Sequence, residues 1–305
     1  MTGPLVAPAE PVAVFFRHDT VNLLMRTSLL LITLLCVAAH ADEPGSFARV
    51  AHDANGEPTA LQLAIVTYAA ADGRYTVDLI GAVHIGEAAY YAALNERFVR
   101  YDALLYELVT PDREQIPSRD DSRRGFLSGT QIAMTDLLDL SFQLDEIDYQ
   151  QPNFVHADLT SDELAESMAE RNESLLSYLW HLYVAAIRES ASDPLGIRSL
   201  HSLSALFSGD DDLALKKMLA YELAAFDERP RALGGLGTTA IIEARNERAV
   251  EVLREAVDRG AEQVGIFYGV GHMPDLSARL IAELGLAIVD VEWIDAWDLA
   301  PEDTN

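Results

Sequence analysis

The chain has 305 residues, 49 of them acidic and 22 basic, which gives a net charge of −27 at neutral pH. So negative a surface repels nucleic acid and anionic membranes and excludes both as primary partners. One cysteine, Cys36, allows no internal disulfide, so stability must come from a hydrophobic core, which a chain of this length can build.

The first readable element is a leader. "MRTSLLLITLLCVAAHADEP" opens at Met25 with Arg26, runs apolar from Leu29 to Ala39, and closes on Ala39-His40-Ala41 before Asp42. A basic start, a short apolar run and a small-x-small end mark a secretory signal peptide; the run is too short for a membrane span. Residues 25–41 are therefore expected to be removed after Ala41, with Met25 as initiator and 1–24 as an upstream extension. The alternative is a genuine cytoplasmic extension. The charges of Glu10, Arg17, Asp19 and Arg26 cancel, so the −27 belongs to residues 42–305. That segment, with no later run of transmembrane length, is expected to be one periplasmic or secreted domain.

"LQLAIVTYAAADGRYTVDLIG" (61–81) predicts two strands joined by a turn at Asp72-Gly73. "EAAYYAALNERFVRY" spaces Ala88, Tyr91, Leu94 and Phe98 at helical intervals, and "DALLYELV" (102–109) is a short β run. Strand, loop, helix and strand make the unit of a parallel sheet. From about 110 to 236 the pattern predicts a mainly helical insert. It contains "TQIAMTDLLDLSF", a segment opening at "TSDELAESM" with Thr160 and Glu163 as a capping box, and "DDLALKKMLAYELAAF" (211–226). A helix over 238–260 should stop at Gly260. Strand, glycine turn, helix and strand follow in "QVGIFYGVGHMPDLSARLIAELGLAIVDVEW" (263–293).

The first and last of these units share a plan: apolar strand, G-x-x-H, helix, apolar strand carrying a glutamate. His84 precedes Glu107 by 23 residues, and His272 precedes Glu292 by 20. This internal repeat predicts an α/β fold of two facing βαβ-type half-sheets. Ligands of parallel sheets sit beyond the carboxyl ends of strands, where Gly81-x-x-His84 and Gly269-x-x-His272 both fall. Glycine there permits close backbone approach or positive φ, and neutral imidazole is the commonest metal ligand. Each histidine could instead simply hydrogen-bond its own loop.

Glu107 lies in a run too apolar to leave a lone carboxylate comfortable, so it calls for a partner or a metal, unless it reaches solvent at a strand end. It could complete a His₂Glu metal set with an open water position, or act as the base that takes a proton from that water. Arg245 falls on the stripe Ile241, Arg245, Ala249, Val252, Ala256, so it either snorkels outward or pairs inside, with Glu107 or with an oxyanion. His156 could line the crevice or serve structurally. Neither His52, His181 nor His201 has a partner pattern, Glu292 matches Glu107 only by repeat position, and "GLGT" (235–238) is too short for a phosphate loop.

Taken together, Gly81-Ala82-Val83-His84, Glu107, "EARNER" around Arg245 and Gly269-Val270-Gly271-His272 resemble the TraB/PrgY/GumN family, which includes the animal TIKI proteins. The likeness covers roughly residues 60–295, and "YQQPNFVHADLTSDEL" looks like the middle segment of bacterial members. It implies a fold related to erythromycin-esterase and ChaN-like proteins. From the TIKI proteins it implies a manganese- or cobalt-dependent peptidase, with His84, His272 and Glu107 at the site and Arg245 as the family arginine. Ala82 departs from the pattern, where threonine is frequent.

The leading expectation is an exported metal-dependent hydrolase acting on a peptide or protein substrate. His84, His272 and Glu107 would hold a divalent cation (manganese, cobalt or zinc), and Arg245 would steady developing negative charge. The alternatives are peptide capture without cleavage, as pheromone-shutdown members of the family suggest, and haem binding by two facing histidines.

Overall fold

The computed structural model describes residues 46–114, 140–171, 212–228 and 242–301. The leader, its Met25 start, the Ala41 cleavage point, His181, His201 and the "GLGT" stretch lie outside these. Apolar alternation and the Asp72-Gly73 turn produce the expected hairpin of β2 (Pro58–Ala69) and β3 (Thr76–Ala82), preceded by β1 (Ala48–His52). Gly73 sits at φ 69°, in the left-handed region the turn needs, and Asp72 Oδ1 accepts the Arg74 N–H at 3.1 Å. Past β3, the short β4 (Ile85–Gly86) leads into α1 (Ala88–Phe98) and then the wholly buried β5 (Ala103–Tyr106).

The region expected as a helical insert is more mixed. Its described part holds β6 (Ser141–Phe142), α2 (Gln143–Glu146), β7 (Phe154–His156), α3 (Ser161–Glu170) and α4 (Asp212–Glu228). The Thr160–Glu163 capping box is present in both halves: Thr160 Oγ1 accepts the Glu163 N–H, and Glu163 accepts the Thr160 N–H at 2.8 Å. β6 pairs with β4 in a two-stranded ladder, and β7 joins the main sheet, so the insert returns to extend it. Then come α5 (Glu243–Asp258), β8 (Gln263–Gly269), a 3₁₀ turn (Val270–His272), α6 (Met273–Leu284) and β9 (Ala287–Asp298).

Seven strands form a mixed α/β sheet. In it β3, β8, β5 and β7 run parallel in that spatial order, and β2 lies antiparallel beside β3. One edge of β2 is lined by β9 along almost its whole length; the other is shared, β1 taking 58–63 and β3 taking 65–69. The two motif-bearing strands are thus hydrogen-bonded neighbours in one sheet, not members of two half-sheets facing each other. Their register pairs Gly81 with Tyr268 and Ala82 with Gly269, so the two G-x-x-H motifs are offset by one residue and their glycines face opposite sides.

Helix α1 covers one face of the sheet, with the Phe98 ring tilted against Phe267, centroids 4.9 Å apart. The opposite face carries α5 and α6, tied to β2 by a buried hydrogen bond from Tyr68 to Ser277 at 2.8 Å. Of the two motif glycines, only Gly269 is required by close approach: a Cβ there would meet Glu107 Oε2 at 3.2 Å, whereas at Gly81 the nearest atoms are 3.6 Å away. Among the described residues, no helix is long and apolar enough to cross a membrane.

Candidate functional site

Each parallel strand delivers one polar side chain just beyond its carboxyl end: His84 after β3, His272 after β8, Glu107 after β5 and Asp158 after β7. This is the edge where parallel sheets place ligands. The first α5 turns project Arg245 over the same edge. Arg245 is 8% exposed, and it is paired rather than snorkelled.

The guanidinium forms a fork on Asp158, Nε to Oδ1 at 2.8 Å and Nη2 to Oδ2 at 2.6 Å, and Nη2 also donates to Glu107 Oε1 at 2.7 Å. The second Glu107 oxygen, Oε2, accepts the Gly269 backbone N–H at 2.6 Å. Asp158 has no exposed surface, and the Glu107 side chain is 16% exposed. The apolar run around Glu107 calls for a partner or a metal, and Arg245 is such a partner. With both acids ionised, two carboxylates face one guanidinium, so the cluster carries an excess negative charge in a poorly solvated place.

His272, 5% exposed, completes the cluster. Its Nδ1 lies 2.7 Å from Asn246 Oδ1, and its Nε2 lies 3.6 Å from Glu107 Oε1 and 3.5 Å from Arg245 Nη1. Burial pushes the imidazole pKa down, with Glu107 opposing and Arg245 adding to the shift, so the ring is neutral at pH 7. For Glu107, burial alone would raise the carboxyl. His272 wherever its ring is protonated, the Arg245 guanidinium, the Gly269 N–H and the nearby His84 outweigh it and bring the pKa down to about 2. So low a value suits a fixed anion or a ligand and makes Glu107 a poor proton acceptor at neutral pH.

His84 stands exposed at the rim, its carbonyl accepting the Gln143 N–H at 2.9 Å. Among the described residues, no three His, Cys, Asp or Glu side chains are already gathered closely enough to hold a metal. Two of the three expected ligands are nonetheless suitably placed. A separation of 3.6 Å between Nε2 and Oε1 fits two atoms bound to one cation through bonds of about 2.0–2.2 Å. The excess carboxylate also favours a cation there. Imidazole and carboxylate are donors that suit a divalent ion, but His84, exposed at the rim, is not gathered with these two as a third.

Other candidates fall elsewhere. Glu292 lies on β9, half exposed and paired with Arg97 at 2.5 Å, so the repeat does not bring it to the site. His156 places Nε2 2.7 Å from the Leu108 carbonyl, while its buried Nδ1 has no hydrogen-bond partner among the described residues. His52 pairs with Tyr221 at 2.8 Å. Two residues of the cluster escaped sequence analysis. Asn246 repeats on α5 with Ala249, Val250 and Leu253, all buried, so the stripe argument that selected Arg245 could have found it. Asp158 follows a strand that had been assigned to a helical insert, which hid its place at the sheet's edge. None of the family models, curated protein sequences or solved structures compared with the chain gives a significant match.

Proposed function

We propose that the chain is an exported hydrolase that uses a divalent metal, manganese, cobalt or zinc, to cleave peptide bonds. What supports this reading above all is the lone pair of a neutral, buried His272 beside Glu107 Oε1, in a cluster with one carboxylate in excess. When bound, the cation supplies Lewis-acid activation of water. His272, Glu107 and the rim residue His84 would hold it. Arg245, fixed by Asp158, offers positive charge to an oxyanion that develops nearby. Peptide substrates and export rest on the resemblance to the TraB/PrgY/GumN family and on the leader at 25–41. Incubation of the purified protein with a peptide pool, with and without manganese, tests the reading. Metal-dependent products that disappear in His272→Ala and Glu107→Gln support it; no product under any divalent metal rejects it.

One observation favours the second reading, peptide capture without cleavage. The Arg245 guanidinium is already satisfied by Asp158 and Glu107, as in a purely structural ion-pair network. Under that reading Glu107→Gln leaves peptide affinity nearly intact and no product forms with any metal. Haem, the third reading, would need His84 and His272 as facing axial ligands, and His84 is exposed at the rim whereas His272 Nε2 lies within 3.6 Å of Glu107 and Arg245.

A further inference from the structure

The geometry points to Asn246 as a positioning residue that locks His272 in a single tautomer, with the proton on Nδ1 and the lone pair of Nε2 turned toward Glu107. The amide of Asn246 cannot be read either way round. Its nitrogen donates to the His272 carbonyl at 3.2 Å and to Asp275 Oδ2 at 2.9 Å, and a flip would set an oxygen against both of those acceptors. The amide oxygen is thereby committed to the ring, and an oxygen at 2.7 Å from Nδ1 accepts only if Nδ1 carries the hydrogen.

The lock is itself held from outside. Asp275 Oδ2, which fixes the Asn246 amide, also accepts from Arg279 Nε at 2.7 Å, so a chain of contacts runs from the partly exposed Arg279 on α6 inward to the imidazole. Asn246 has no exposed surface and touches neither Glu107 nor the guanidinium fork in its hydrogen bonding. Its effect on the site therefore passes through His272. As a statement about metal binding, this inference rests on the proposed cation site; as a statement about the tautomer, it does not.

Nitrogen-15 NMR of histidine-labelled protein at a pH where His272 is neutral tests the lock, the His272 signals being assigned by their loss in His272→Gln. The wild-type ring is expected in the Nδ1–H form. Asn246→Leu, which keeps the bulk and removes the acceptor, should mix in the Nε2–H form, while Asn246→Asp, which keeps an acceptor oxygen, should retain Nδ1–H. Titration with Mn²⁺ alone should show Asn246→Leu weakened about 10–100-fold, the usual cost of losing an orienting partner of a ligating histidine. An Nε2–H tautomer in the wild type, or an unchanged tautomer in Asn246→Leu, overturns the lock. An Nδ1–H ring in a wild-type protein that binds no Mn²⁺ supports the lock and rejects the metal site.

Discussion

Arg245 carries the largest single electrostatic load in the cluster. Removing it leaves Glu107 and Asp158 buried side by side without a counter-charge, and breaking a buried pair this way costs about 3–5 kcal/mol. Arg245→Met should therefore lower the urea midpoint sharply. Lysine should not rescue it, because one ammonium cannot reproduce the fork on Asp158 while reaching Glu107. If Arg245→Met unfolds at the wild-type midpoint, the ion-pair network does not carry the stability assigned to it. The same cluster sets an acid limb to stability. His272 has its pKa lowered on folding, so the unfolded chain takes up the proton first and stability begins to fall below about pH 6.5. Glu107, lowered from 4.5 to about 2, contributes stability that is present above pH 4.5 and lost as pH falls toward 2. Thermal melts against pH should show His272→Gln flattening the upper part of this limb and Glu107→Gln the lower part. Coincident profiles for wild type and both variants would contradict these assignments.

Elements built from local signals were legible in the sequence. The Thr160 cap, the Asp72-Gly73 turn and the α5 stripe from Arg245 through Ala249 and Val252 to Ala256 depend on residues a few positions apart, and all are where the pattern placed them; Ile241, the first residue of that stripe, lies outside the described residues. Thr160→Ala should cost about 1 kcal/mol, read by chemical denaturation, since it removes one of the two reciprocal caps of α3. Gly265 was not legible as a packing position, because its requirement comes from partners far along the chain. A Cβ on it would lie 2.6 Å from Leu104 Cδ1 and 3.0 Å from the Tyr101 ring, both in the core. Gly265→Ala should therefore destabilise by about 1–3 kcal/mol, even though alanine is ordinarily the better strand residue. An unchanged melting temperature would mean that Leu104 and Tyr101 yield freely.

At the scale of the whole molecule, the sequence told less. A shared sequence plan does not say how its two stretches are arranged in space, and here β8 slots between β3 and β5 in a single sheet while β9 pairs with β2. Strand β7 was missed because three residues, Phe154–His156, are too few to show a period of two, and Asp158 was missed with it. Glu107, Arg245 and His272 were legible for a different reason. Charged or ionisable groups in apolar patterns demand partners, and that demand can be read without knowing the fold.

The central claim is that His272 and Glu107, joined by His84 from the rim, bind one divalent cation. Elemental analysis of the purified, untagged protein, alongside His84→Ala and His272→Ala, tests it most directly. The expected result is one equivalent of metal in the wild type and a loss in both variants. Stoichiometric metal retained by both variants, or none taken up by the wild type from excess manganese, cobalt or zinc, would contradict it.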